Sequence, residues 1–341
     1  MAANLSPEYK EAEAAYKKAR EPKERLECLR QMLRTIPKHK GTEHLQADIK
    51  TRIKQLSEEL AQPKKGGPAR GGPAQVVRPE GAAQVALLGP PNVGKSSLHA
   101  RLTGSHAEIG PYPFTTQALE PGMLPYEDIH FQLVDLPPIS AEFVVPWLTN
   151  ALQPADGALL IVDLAQPDCV DHVSVVTRLL GERKVVLASR WQRSADSAPA
   201  GEELDDPFRI ELPTLLIANK ADLTQSPEEE LQTLRELAGV DFRGLAVSAT
   251  TGQGVDRVGR ALFELLGIVR VYTKAPGRPA DMGRPFTLRS GDSVGDVAAQ
   301  VHRGLATTIK YARLWQRGDQ NPQQVSRDHR VHDGDVVELH S

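Results

Sequence analysis

Cysteine is almost missing from this chain. Cys28 and Cys169 are its only two, far apart and without the spacing of metal ligands. That excludes a disulfide-stapled scaffold, and two reduced thiols are the plain expectation. The ten histidines form no His-x-x-x-His pair and no His/Cys cluster, so a structural zinc site is not expected either. No stretch of 18 apolar residues occurs, and Met1 to Lys10 lacks the apolar core of a secretion signal. The expectation is a cytoplasmic protein with no membrane span. Aromatic residues are scarce, at 5%, which makes those that stand among cations conspicuous.

Charge, by contrast, is plentiful and uneven. The net charge of −3 divides into +6 over residues 1–75, −12 over the middle and +3 over residues 269–341. Basic ends on an acidic centre suit a polyanionic partner, while solvated Lys-rich helix faces would look the same; charge alone leaves both readings open. At 341 residues the chain is long for one core, and two or three domains are the natural division.

Residues 1–62 read as a helical hairpin. Ser6-Pro7 is a helix start, with a capping hydroxyl followed by proline at the first helical position, and Pro22 repeats the start signal. Leu26, Leu29, Met32, Leu33 and Ile36 recur at helical spacing, as do Leu45, Ile49, Ile53, Leu56 and Leu60; residues 36–41 break the pattern between them. A Gly/Pro-rich stretch makes 63–81 a flexible linker. From 82 to 267 apolar strand-like runs (Val85–Leu88, Ile129–Val134, Ala158–Val162, Thr214–Ala218, Leu245–Val247) alternate with helical patterns. That alternation predicts an α/β domain, a mostly parallel sheet with helices on both faces. Residues 190–206 read as an exposed loop. Residues 268–341 read as a small α+β module with one helical stretch near Val294–Val301.

The strand Val85–Leu88 runs into Gly89-Pro-Pro-Asn-Val-Gly-Lys-Ser-Ser97, a Gly-x-x-x-x-Gly-Lys-Ser loop ahead of a helix. This is the phosphate-binding P-loop arrangement. Gly89 and Gly94 let the backbone curl so that N–H groups through Asn92, Val93 and Ser97 surround an anion at a helix N-terminus. Lys95 reaches the β- and γ-phosphates and Ser96 offers its hydroxyl to Mg²⁺. A nucleoside triphosphate follows from the loop; the base does not.

The base is read from Asn219-Lys220-Ala221-Asp222, directly after the apolar run Leu215–Ala218. A carboxylate at Asp222 accepts both N1–H and the 2-amino N–H of guanine, whereas adenine presents a lone pair at N1. Asn219 and Lys220 brace the loop and cover the base. Ser248-Ala249-Thr250, after Leu245–Val247, fits a further loop that meets the guanine edge through backbone N–H. Between these motifs, Tyr112-Pro-Phe-Thr-Thr116 is placed to give a threonine hydroxyl to Mg²⁺, and Asp135 to hold a water on the same ion; a plain turn before a strand is the alternative for Thr115 and Thr116. His99 and His106 read as surface residues.

Taken together these motifs resemble the translational GTPases of the Obg and developmentally-regulated-GTP-binding (DRG) group. Residues 35–42 (Thr-Ile-Pro-Lys-His-Lys-Gly-Thr) resemble the helical N-terminal region of the DRG branch. Ile268–Lys274, Lys310-Tyr-Ala-Arg313 and Asp333-Gly-Asp-Val-Val-Glu338 resemble its C-terminal TGS domain, a β-grasp module. The resemblance implies binding of GTP and GDP with Mg²⁺, catalytic roles for Lys95 and Thr116, and metal roles for Ser96, Thr116 and Asp135. It also implies K⁺ near Asn92, and as partners the ribosome or ribosomal RNA and a small protein regulator. Nothing points to DNA or a membrane. Lys310 to Arg317, where Tyr311 and Trp315 alternate with Lys310, Arg313 and Arg317, suits RNA contact, while Tyr272 and Phe286 read as core.

The chain departs from the group at one point. Where the pattern Asp-x-x-Gly is expected, it reads Asp135-Leu136-Pro137-Pro138. Proline has no N–H to turn toward a γ-phosphate, and Ile139 has no polar group to orient a water. Two readings stay open, a slow GTPase and a guanine-nucleotide-binding module without catalysis. An ATP enzyme would contradict Asp222.

Overall fold

The computed structural model describes residues 6–19, 22–37, 42–61, 76–105, 119–191, 206, 208–302, 304–317, 319 and 321–340. They fall into two compact units. The first holds α1 (Pro7–Lys18), α2 (Pro22–Thr35) and α3 (Glu43–Ala61). Ser6 caps α1 by accepting the Tyr9 N–H at 3.2 Å, with Pro7 at the first helical position. The two apolar repeats of the sequence become α2 and α3, which pack on one another, and α1 adds a third helix against α2. Tyr9, Leu29, Met32 and Ile49 are fully buried among them. Phe208, from a distant part of the chain, completes this core: its ring meets Tyr16 edge-on at 6.0 Å and lies 4.1 Å beneath the Arg52 guanidinium. Residues 62–75, most of the expected linker 63–81, and most of the loop 190–206 lie outside the described residues.

The second unit begins with β1 (Ala83–Leu88), α4 (Lys95–Thr103), β2 (Glu120–Tyr126), β3 (Ile129–Asp135), α5 (Leu148–Leu152) and β4 (Gly157–Asp163). It continues through α6 (Cys169–Gly181), β5 (Val185–Ala188), β6 (Ile210–Asn219), α7 (Pro227–Ala238), β7 (Arg243–Ala246) and α8 (Arg257–Leu265). The strand order is β2-β3-β1-β4-β6, with β5 paired to the first half of β6 and β7 to the second. Only β2 runs antiparallel to its neighbour. The central strands β1, β4 and β6 are buried at consecutive positions because both faces are covered. Leu88, Leu160 and Leu216 pack with Val173, Leu180 and Leu231 of α6 and α7, while Leu87, Leu159 and Ile217 pack with Leu98, Val258 and Leu262 of α4 and α8. All parallel strands therefore end on one edge of the sheet, where an α/β fold places its ligands.

The chain continues into β8 (Ile268–Lys274), β9 (Ala280–Arg289), α9 (Val294–Val301), α10 (Leu305–Thr308), β10 (Tyr311–Trp315), β11 (Gln323–Val325) and β12 (Asp335–His340). These strands form a sheet of order β11-β10-β12-β8-β9, with β12 parallel to β8 and the other pairs antiparallel. A reciprocal cap between Ser293 and Asp296 starts α9, whose Val294, Val297 and Ala298 close the core over Val271, Leu314 and Val337. Along β10 the core residues Ala312 and Leu314 alternate with Tyr311, Arg313 and Trp315 on the other face. There Tyr311 stacks on His340 at 4.6 Å and the Lys274 ammonium stands 4.4 Å from the Trp315 ring centre.

Arg270 ties this module to the turn between β2 and β3. Its guanidinium grips Asp333 with two hydrogen bonds, of 2.9 and 2.8 Å. It also bonds Asp128 at 2.8 Å and Glu127, and lies over the Phe263 ring. Tyr272, buried as expected, spends its hydroxyl on Asp128 at 2.5 Å. Burial would lift the Asp128 carboxyl, but the hydrogen bonds from Tyr272 and Arg270 outweigh it and hold the group below the usual carboxylate range.

Candidate functional site

Strand β1 delivers the P-loop to the sheet's ligand edge, and two of its residues are glycine for steric reasons. Gly89 has φ +150°, and a Cβ there would stand 2.3 Å from the Ile161 carbonyl oxygen. Gly94 has φ +87°, and a Cβ would meet the Asn219 side chain at 2.5 Å. Asn92, at the exposed tip, also has positive φ. Among the described residues the N–H groups of Val93, Gly94, Lys95 and Ser96 have no acceptor. Together with the N-terminus of α4, where Ser97 sits in the first turn, they form an anion cradle.

Lys95 is 7% exposed and donates to the carbonyls of Gly89 (3.1 Å) and Pro90 (3.0 Å). Burial pushes its pKa down to about 8, resisted by the charge of Asp135. A group lowered on folding favours the folded state as pH rises between the folded and unfolded values, here from about 8 to 10.5. Phosphate binding at Lys95, the role expected of it, would run the other way: it would hold the lysine charged and take up a proton above pH 8. GDP affinity is expected to fall about tenfold per pH unit above 8. Titration calorimetry in two buffers of different ionisation enthalpy checks this; no proton uptake at pH 9 would refute it.

Ser96 donates its hydroxyl to Asp135 Oδ2 at 2.5 Å. Asp135, at the end of β3, is 1% exposed, and burial raises its pKa against the Ser96 hydrogen bond and the Lys95 charge. Its other oxygen, Oδ1, is buried without a hydrogen-bond partner among the described residues. One hydroxyl, one carboxylate and an uncommitted buried oxygen are a donor set that fits Mg²⁺, which takes few protein ligands and fills its shell with phosphate oxygens and water. Thr115, Thr116 and the rest of residues 106–118 lie outside the described residues, as does His106.

The motif expected to read the base sits across the edge. Asn219, 1% exposed, donates to the Val93 carbonyl at 2.8 Å and accepts the Ala249 N–H at 3.1 Å, so one side chain locks the P-loop to the Ser248-Ala249-Thr250 loop. Ser248 is fully buried and accepts the Thr251 N–H at 3.0 Å, shaping that loop; Thr250 is exposed. Lys220 has φ +62° and pairs with Asp163 at 2.6 Å. Asp222 stands exposed on the short turn Ala221–Leu223.

Two residues escape the sequence reading. Asp163 ends the apolar strand β4 and holds Lys220 from 57 positions away; its signal is the lone carboxylate closing a buried run on the ligand edge. His99, expected at the surface, is 1% exposed. It is enclosed because α4 is packed against both β2 and β3, and Gly122 of β2 leaves room for its ring. Downstream of Asp135, the Ile139 N–H donates to the Gly89 carbonyl at 3.1 Å, and Leu136 and Ile139 are each 1% exposed in the main core.

Comparison with known proteins agrees with this geometry. The family model described as "50S ribosome-binding GTPase" matches residues 84–189, and that of the TGS domain matches residues 269–341. An uncharacterized GTP-binding protein of Methanocaldococcus jannaschii is 28% identical over 93% of this chain and 92% of its own. Developmentally-regulated G-protein 1 of Arabidopsis thaliana is 26% identical over 93% and 90% of the two chains. Developmentally-regulated GTP-binding protein 1 of Xenopus laevis is 26% identical over 91% and 96%. Motifs, strand order and end-to-end likeness converge: the chain joins a P-loop GTPase domain to a C-terminal TGS domain and is similar over nearly its whole length to developmentally-regulated GTP-binding proteins.

Proposed function

We propose that this GTPase-family chain is a slow guanine-nucleotide switch that works with Mg²⁺ on ribosomes or ribosomal RNA in the cytoplasm. The observation that carries the slow step is at residues 138 and 139. Pro138 has no N–H, and that of Ile139 is already given to Gly89. Neither backbone group is left to meet a γ-phosphate, and the apolar Ile139 side chain orients no water. Mg²⁺, when bound, neutralises charge developing on the β- and γ-phosphate oxygens; Ser96 and Asp135 are the residues proposed to hold it. Lys95 supplies a fixed positive charge to the same oxygens, and the loop N–H groups orient them. Asp222 takes the guanine edge, braced by Asn219 and Lys220. Thr116 and, for K⁺, Asn92 complete the proposed set.

A ribosomal or RNA partner is supported by the basic ends of the chain and by the aromatic and cationic face of β10 and β12. The description of the matching family model as ribosome-binding points the same way. A second reading, a nucleotide-binding module without hydrolysis, is favoured by the same Pro138. Single-turnover GTP hydrolysis with and without ribosomes and K⁺ separates the two. Fast turnover by the isolated protein would contradict both. Pro138→Gly restores one backbone donor, and a charge-assisted hydrogen bond of about 1.5–3 kcal/mol corresponds to roughly 10–100-fold in GTP affinity or turnover. Unchanged GTP binding and hydrolysis in that variant would show that the proline is not the limiting feature.

A further inference from the structure

Helix α4 carries His99 one turn beyond Ser96, so the two side chains lie on the same side of the helix. His99 is 1% exposed and neither ring nitrogen has a hydrogen-bond partner among the described residues. A second buried polar atom is in the same condition, the Oδ1 of Asp135, whose partner oxygen takes the Ser96 hydroxyl. Gly122, which the ring abuts, pairs with Leu133, two residues before Asp135 on β3, so the ring and the Asp135 carboxyl share the sheet face that α4 covers. On its Nε2 side the ring abuts Gly122, where an added Cβ would stand 2.8 Å away, so β2 forgoes a side chain there to admit it. An unpaired buried polar group costs about 1–3 kcal/mol, and such groups in folded proteins call for an explanation. Leucine or methionine would fill the same space without that cost. Two buried, unpartnered polar groups on one face of the sheet, one of them on the carboxylate proposed to serve Mg²⁺, suit a single bridging water.

We propose that His99 is a positioning residue of the Mg²⁺ site: through one buried water it holds the free oxygen of Asp135 and fixes how that carboxylate faces the metal. The inference rests on the reading that Ser96 and Asp135 serve Mg²⁺. A merely structural role makes a different prediction, since a histidine that only fills the core affects stability and not the response to metal.

The test follows release of fluorescently labelled GDP from the full chain, in EDTA and across a Mg²⁺ titration, alongside thermal melts. His99→Leu is expected to melt no lower than the parent without nucleotide and to release GDP at the parental rate in EDTA. It should require about tenfold more Mg²⁺ to slow release, the size of effect usual for residues behind a metal ligand. His99→Met should behave as His99→Leu and stands in for it if leucine does not fold. His99→Gln, which can still meet a water, should recover most of the Mg²⁺ response. An apolar variant with the parental Mg²⁺ response overturns the proposal, and so does one whose release in EDTA changes as much as in Mg²⁺. A parent whose GDP release ignores Mg²⁺ overturns the metal reading itself, and the proposal with it.

Discussion

Asp222→Asn should weaken GTP binding by about 10³-fold while leaving the melting temperature unchanged. In the proposed base site this carboxylate faces two donors of guanine, N1–H and the 2-amino group. An amide offers an acceptor to one of them and turns its own NH₂ against the other. A site built around a hydrogen-bonding group loses several orders of magnitude when the match fails, because a buried donor is left unpaired as well as a bond lost. Stability is spared because Asp222 is exposed on its short turn and packs into nothing. The same exchange should improve binding of xanthosine triphosphate, whose C2 carbonyl accepts from the new NH₂. Competition against labelled GDP measures both. GTP affinity within threefold of the parent would remove Asp222 from the base site.

Arg270→Met should lower the stability of the second unit by about 3 kcal/mol, or roughly 5–10 °C in Tm. The arginine side chain is 11% exposed and is the shared counter-charge of three carboxylates. Methionine keeps the stem but removes the guanidinium from over Phe263 and leaves Asp128 and Asp333 without their shared counter-charge. The figure sits at the low end for a broken buried pair because Glu127 is half exposed and screened by water. The sign of the pH dependence follows from the carboxyl groups. Arg270 and Tyr272 hold Asp128 below its ordinary pKa, so the stabilisation is complete above the unfolded value and disappears as pH falls through the folded one. Melts of Arg270→Met should therefore depend less on pH in the acid range than those of the parent. Parallel acid limbs, or a Tm within 1 °C at pH 7, would mean the clamp carries no energy.

The site is legible in the sequence where chemistry demands a local pattern. A loop that wraps a phosphate needs its glycines, lysine and serine at fixed spacing, and Asn219, Lys220 and Asp222 fall within four consecutive positions because the end of β6 and the turn after it hold them together. Strands β1, β3, β4, β6 and β7 are legible as well, since burial writes them as apolar runs; the half-exposed β2 and the four-residue β5 are not read that way. What escapes depends on pairings across the sheet. Nothing near Asp163 says that it meets Lys220, because parallel pairing of β4 with β6 sets that contact. His99 reads as a polar residue on a short helix, and only packing against β2 and β3 encloses it. Likewise Glu127 and Asp128 look like any acidic hairpin turn until Arg270 arrives from 142 residues away.

Only Leu266 and Gly267 separate the end of α8 from the start of β8. Two residues span at most about 7 Å, so the TGS domain is not a module on a tether that searches a volume for its target. A large partner would meet both domains at a fixed spacing, with no linker entropy to lose on the second contact and no tolerance for a misplaced one. The joint therefore acts as a ruler: affinity gained from both domains together is available only on a surface whose two contact points match its length.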